Sequence, residues 1–84
     1  MNPLVPPYLR WACRRGMLEL DILLGCFLEE AFPKLSLKEQ TGFIQLLDHN
    51  DQDLFVWLTG KELPPDPAVA TVVAQVRYHA QSRH

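Results

Sequence analysis

Met17-Leu18-Glu19-Leu20-Asp21-Ile22-Leu23-Leu24-Gly25-Cys26-Phe27-Leu28-Glu29-Glu30-Ala31 is the stretch that decides the fold class. Leu20, Leu23, Leu24, Phe27, Leu28 and Ala31 recur at helical spacing and share one face, whereas a strand would alternate with a period of two. Glu19, Glu29 and Glu30 fall off that face. A helix over 17–31 follows. Gly16 is read as its N-cap, which puts Glu19 at the third helical position. An acid there favours the positive end of the helix dipole. Pro33 disfavours further helix and stops the element.

Working outward, the other segments are helical as well. A short helix is expected from about Tyr8 to Arg14. Its length demands tertiary support, because isolated helices this short are unstable in water. Ser36-Leu37-Lys38-Glu39 matches the capping box, in which serine and glutamate each satisfy a free backbone N–H. It opens a third helix that ends near Asp48 and buries Leu37, Phe43, Ile44, Leu46 and Leu47. Asn50 or Asp51 caps a short fourth helix carrying Leu54, Phe55, Trp57 and Leu58, and Gly60 ends it. Asp66 and Pro67 open a fifth. Val69, Val72, Val73, Val76 and Ala80 follow helical spacing, so period outranks the strand preference of valine. Trp57 and Phe55 are read as core, Asp51 and Asp53 as helix-start residues. No segment alternates as a strand would. The expected fold is all-α, a compact five-helix bundle in one domain over 1–84, with residues 1–7 as a flexible tail.

The chain has 84 residues, a length that bounds it to one thin core. Hydrophobic residues reach 48%, enough to drive folding. The formal net charge of −2 argues against a general nucleic-acid binder, which would be basic. Met1 to Pro7 lacks the cationic and apolar regions of a secretory signal. The apolar run around Ile22–Leu28 is too short to span a bilayer. A soluble, cytoplasmic protein without membrane insertion is therefore expected. Cys13 and Cys26 fall in helical patterns without redox or zinc spacing, and read as small apolar core residues.

Several chemistries fail on spacing. Asp48-His49-Asn50-Asp51-Gln52-Asp53 starts like a calcium loop, but its sixth and twelfth positions hold Asp53 and Thr59, not glycine and glutamate. Cys13, Cys26, His49, His79 and His84 show no zinc-finger or ribbon pattern, and His79 and His84 lie near a terminus expected to fray. Ser36 is used as a cap, and Ser82 lies near the end, so no nucleophile has an evident base. No glycine-rich phosphate loop is present. A helix-turn-helix from the third and fourth helices would lack the cations that read DNA, because the fourth carries none before Lys61.

One motif remains: Arg14-Arg15-Gly16-Met17-Leu18-Glu19. A glycine permits close backbone approach, and charges of opposite sign flank it. A helix start accounts for Gly16 and Glu19. It leaves unexplained two arginines at the end of a helix whose dipole repels them. Here the chain resembles the FAD assembly factors of succinate dehydrogenase, the SdhE family, whose hallmark Arg-Gly-x-x-Glu stands as Arg15-Gly16-Met17-Leu18-Glu19. Trp11-Ala12-Cys13-Arg14 before the motif and Leu20-Asp21 after it extend the likeness. So does the block Asp51-Gln52-Asp53-Leu54-Phe55-Val56-Trp57-Leu58. Two such blocks in one small helical chain are more specific than the short motif alone.

The resemblance implies a dedicated chaperone, not an enzyme, with a five-helix fold. It implies as partner the flavoprotein subunit of succinate dehydrogenase and, in bacteria, also that of fumarate reductase. FAD, the cofactor of that client, becomes covalently attached to a client histidine, and no stably bound cofactor is expected in the chain itself. Carried over, Arg15, Gly16 and Glu19 form the centre of the partner-binding surface, with Arg14, Trp11 and Asp21 as neighbours. The rival readings are a small helical DNA-binding regulator and a general protein-interaction adaptor.

Overall fold

A computed structural model describes residues 3–82. Met1, Asn2, Arg83 and His84 lie outside the described residues, and with them the start of the expected tail and one histidine of the dismissed zinc set. Five α-helices follow in order: α1 (Pro7–Ala12), α2 (Leu18–Glu30), α3 (Leu37–Leu46), α4 (Asp51–Leu58) and α5 (Pro67–Ser82). No strand occurs among the described residues. A short 3-10 turn, Phe32–Lys34, joins α2 to α3. The sequence pattern did not announce it. It lets Pro33 end the helix while still sending Phe32 into the core.

Local chemistry explains most boundaries. The Ser36 hydroxyl accepts from the Glu39 N–H at 3.2 Å, and the Glu39 carboxylate accepts from the Ser36 N–H at 2.9 Å, completing the capping box. Asn50 is the cap of α4, its side chain accepting from the Asp53 N–H at 2.8 Å. Asp66 accepts from the Ala68 N–H at 2.9 Å. Gly60 takes a φ of +83° just beyond α4, a left-handed angle that suits glycine at a helix end.

Four expectations need correction. Gly16 is not the N-cap of α2. Met17 takes that place without a side-chain bond, and Gly16 sits one residue earlier at φ +86°. Glu19 is therefore the second helical residue, still within the first turn that favours an acid. The first helix stops at Ala12 instead of Arg14, with Cys13 as its cap. Leu37 is 80% exposed instead of buried, because the first position of α3 overhangs solvent; Gly42 fills that helix's buried face instead. The expected 1–7 tail is shortened, for Val5 is only 2% exposed and Pro7 opens α1. Burying an apolar side chain of this size stabilises by about 1.5–3 kcal/mol, enough to hold a short segment down. At the other end α5 persists through Ser82, and His79 Nε2 lies 3.0 Å from a Glu30 carboxylate oxygen.

The core draws on every helix. Leu9 and Cys13 meet Leu20, Leu24, Phe27 and Leu28, and Phe43, Leu46, Leu54, Trp57 and the valines of α5 close it. Phe43 sits at its centre, its ring 5.4 Å from that of Phe27 and 5.5 Å from that of Phe32. The α5 face Val69, Val72, Val73 and Val76 is buried as its spacing predicts. Trp57 is buried as expected, with His49 against its ring edge. Phe55 is half-buried under the Lys61 ammonium, 5.4 Å from the ring centre. Cys13 is buried and Cys26 partly so. No charged or polar residue is fully buried among the described residues.

Candidate functional site: the turn between α1 and α2

The motif occupies the turn that reverses the chain from α1 into α2. Gly16 is exposed at its apex, and a Cβ built there would have no atom within 4 Å. The glycine is thus required by its backbone angle and not by crowding within the chain. The space above it is open.

Adjacent arginines at this turn behave differently. Arg15 points inward to the α3–α4 connection. Its Nε donates to Asp51 at 2.8 Å, and Nη2 donates to the His49 carbonyl at 2.7 Å. Nη1 donates to the carbonyls of Ala12 and Leu47, each at 3.1 Å. A guanidinium has five N–H donors, and these four bonds leave one. The Ala12 and Leu47 carbonyls lie at the C-terminal ends of α1 and α3, where helix dipoles favour a cation. That accounts for an arginine beside the start of α2: it serves the ends of two other helices. The Arg15 backbone N–H donates to Asp21 at 2.6 Å, which ties the turn to the first turns of α2.

Arg14 and Glu19, by contrast, are exposed and have no partner among the described residues. They are the charged groups left free at the turn. Trp11 is 74% exposed on α1. Leu18 is 75% and Ile22 51% exposed on α2, one helical turn apart. With Arg10, Arg14, Asp21 and Glu29 these two leucine-type side chains line a groove of about 380 Å³ between the helices. Arg10 braces its far wall with a two-pronged ion pair to Glu29, at 2.6 and 3.1 Å. That hydrogen bond raises the Arg10 value further above its ordinary one. Cys13, at the groove floor, has its thiol pushed up to about 12, chiefly by burial.

The turn therefore brings together all six residues expected from sequence, but in two groups. Gly16, Arg14, Glu19 and Trp11 face outward, whereas Arg15 and Asp21 bond within the chain. Leu18 and Ile22 were missed as surface residues. Their signal was available, since both lie off the buried stripe of α2 yet are apolar.

The fold is that of a small helical protein in which an exposed helix–helix turn lies beside an open groove. Residues 8–80 match a family described as flavinator of succinate dehydrogenase, and the chain belongs to that family. It is 49% identical over 71 residues to the FAD assembly factor SdhE of Shewanella oneidensis, covering 84% of this chain and 87% of that one. It is 45% identical to the FAD assembly factor SdhE of Vibrio vulnificus, covering 89% and 87%. The solution structure of a UPF0350 protein superposes with a TM-score of 0.74 at 41% identity, over 89% of this chain and 80% of that one. Membership in this family fits the assembly-factor reading and not the DNA-regulator or adaptor readings. No helix among the described residues is long and apolar enough to cross a membrane.

Proposed function

We propose that this chain binds the flavoprotein subunit of succinate dehydrogenase through the α1–α2 turn and promotes covalent attachment of FAD to that subunit. The observation that carries this reading is the exposed Gly16 apex. It is open to close backbone approach, flanked by the unpartnered Arg14 and Glu19, and continuous with the Leu18–Ile22 groove. The flavoprotein of fumarate reductase is a second client of the same chemistry, and the cytoplasm is the proposed site of action.

Flavinylation is chemistry of the flavin and its host, so the helper need supply only binding and orientation. FAD stays the client's cofactor, and the chain performs no bond-making of its own. Binding one arrangement of the client more tightly than others shifts its population by that difference in affinity. Arg14 and Glu19 supply charge-assisted hydrogen bonds, which are stronger than neutral ones. Leu18, Ile22 and Trp11 supply apolar area.

The test is co-expression with the flavoprotein subunit, with covalent flavin read by in-gel fluorescence. Wild-type chain raises the signal. Gly16→Arg abolishes the gain while the helical circular dichroism persists below a lowered melting temperature, because the added Cβ meets no atom of the chain within 4 Å and only the left-handed backbone angle is strained. Glu19→Ala lowers it strongly with a melting temperature near wild type. Full flavinylation with either variant would overturn the reading.

A further inference from the structure

The Arg15 side chain is anchored far from its own place in the chain. Its charged partner is Asp51, 36 residues away on α4, and two of its carbonyl partners, Leu47 and His49, flank the same connection. The guanidinium has at most one donor left for any other molecule. Asp51 carries the other half of this bond on a side chain that is 40% exposed, against 18% for Arg15. Salt screens such a pair less than one on the open surface. The Arg15 backbone N–H is held in turn by Asp21, and the Asp21 N–H donates to the Met17 carbonyl at 2.9 Å. Fixing Arg15 therefore fixes the residues on both sides of Gly16.

From this arrangement we infer that Asp51 is a positioning residue for client binding. It sets the α1–α2 turn through Arg15, so that Arg14, Gly16 and Glu19 meet the client in one geometry. The motif arginine is then a strut, and the contacting cation is its neighbour Arg14. This division rests on the reading of the turn as the client-facing surface. It gives the Asp51–Leu58 block a task beyond core packing: its first residue connects α4 to the turn.

A double-mutant cycle on the full chain tests this, with affinity for the purified flavoprotein subunit measured by titration calorimetry. Amide exchange at Arg15 and Asp21 is followed alongside, because both N–H groups are bonded within the turn. Asp51→Ala weakens binding roughly tenfold, Arg15→Ala at least as much, and the double variant no more than Arg15→Ala alone. Exchange at Arg15 and Asp21 speeds up, while the buried Val72 and Val76 keep their protection. Asp51→Asn, which retains an acceptor oxygen, recovers most of the affinity lost in Asp51→Ala. Wild-type affinity in Asp51→Ala, additive losses, or loss of protection at Val72 and Val76 as well would overturn the inference. If the wild-type chain fails to bind the flavoprotein, the functional reading falls, and the exchange data alone decide whether Asp51 holds the turn.

Discussion

Gly16 and Gly42 occupy opposite kinds of place. Gly42 lies buried where α3 crosses α5, and a Cβ there would stand 2.9 Å from Val72 Cγ2 and 3.1 Å from the Ala68 carbonyl oxygen. A Cβ at Gly16 would meet nothing within 4 Å, but the residue holds a φ of +86°. One glycine is demanded by space and the other by angle. At Gly42 the helices α3 and α5 close on each other, which makes this the closed side of the fold. The α1–α2 side is open, with Trp11, Leu18, Ile22, Arg14 and Glu19 exposed, and recognition is proposed there.

That contrast can be broken by substitution. Gly42→Val should have the largest effect on folding. Overpacking a closed interface costs about 2–3 kcal/mol, or roughly 10–20 °C in melting temperature for a domain this size. Flavinylation should fall only as far as the folded population does. Gly16→Ala should cost about 1–2 kcal/mol, the penalty of a left-handed angle for a residue with a Cβ. Unlike Gly16→Arg, it should leave a measurable share of the flavinylation gain at temperatures where the chain is folded. If Gly42→Val melts like wild type while Gly16→Ala unfolds the chain, the assignment of the two sides is reversed.

The smallest expected effect is a pH dependence on the closed side. The Ser36 backbone N–H, the Gln75 amide and the Ser36 hydroxyl hold the Glu39 carboxyl below its ordinary value of 4.5. A carboxyl lowered by folding stabilises the fold above that ordinary value. The contribution is lost as pH falls through the folded one. Chemical denaturation between about pH 6 and 3 should show this acid limb, and Glu39→Gln should flatten it. An unchanged limb would mean that the α3 cap and its Gln75 link to α5 contribute nothing to the closed side.

Legibility in the sequence divided along similar lines. The caps at Ser36, Asn50 and Asp66, and the valine stripe of α5, were readable because their partners lie within a few residues or repeat at fixed spacing. The all-α class followed from those periods. The Arg15 anchor was not readable. Three of its four partners are backbone carbonyls, which carry no residue identity, and two of those lie more than 30 residues away. Gly16 was placed correctly at the turn but in the wrong role, because composition does not distinguish a cap from a left-handed residue one step before it. Leu18 and Ile22 were left off the apolar face of α2 and given no surface role, since periodicity ranks faces and does not say which apolar residues remain uncovered.

Cys13 has a practical consequence. Its thiol is buried at the floor of the α1–α2 groove and, held near 12, stays protonated at neutral pH. The thiolate is the reactive form, so an alkylating reagent can capture this sulfur only when α1 lifts away from α2. Cys13 is thus a clock for that opening, and its labelling rate reports the free energy of local unfolding without any engineered cysteine. Cys26, half-buried on α2, supplies a second reading from the same molecule.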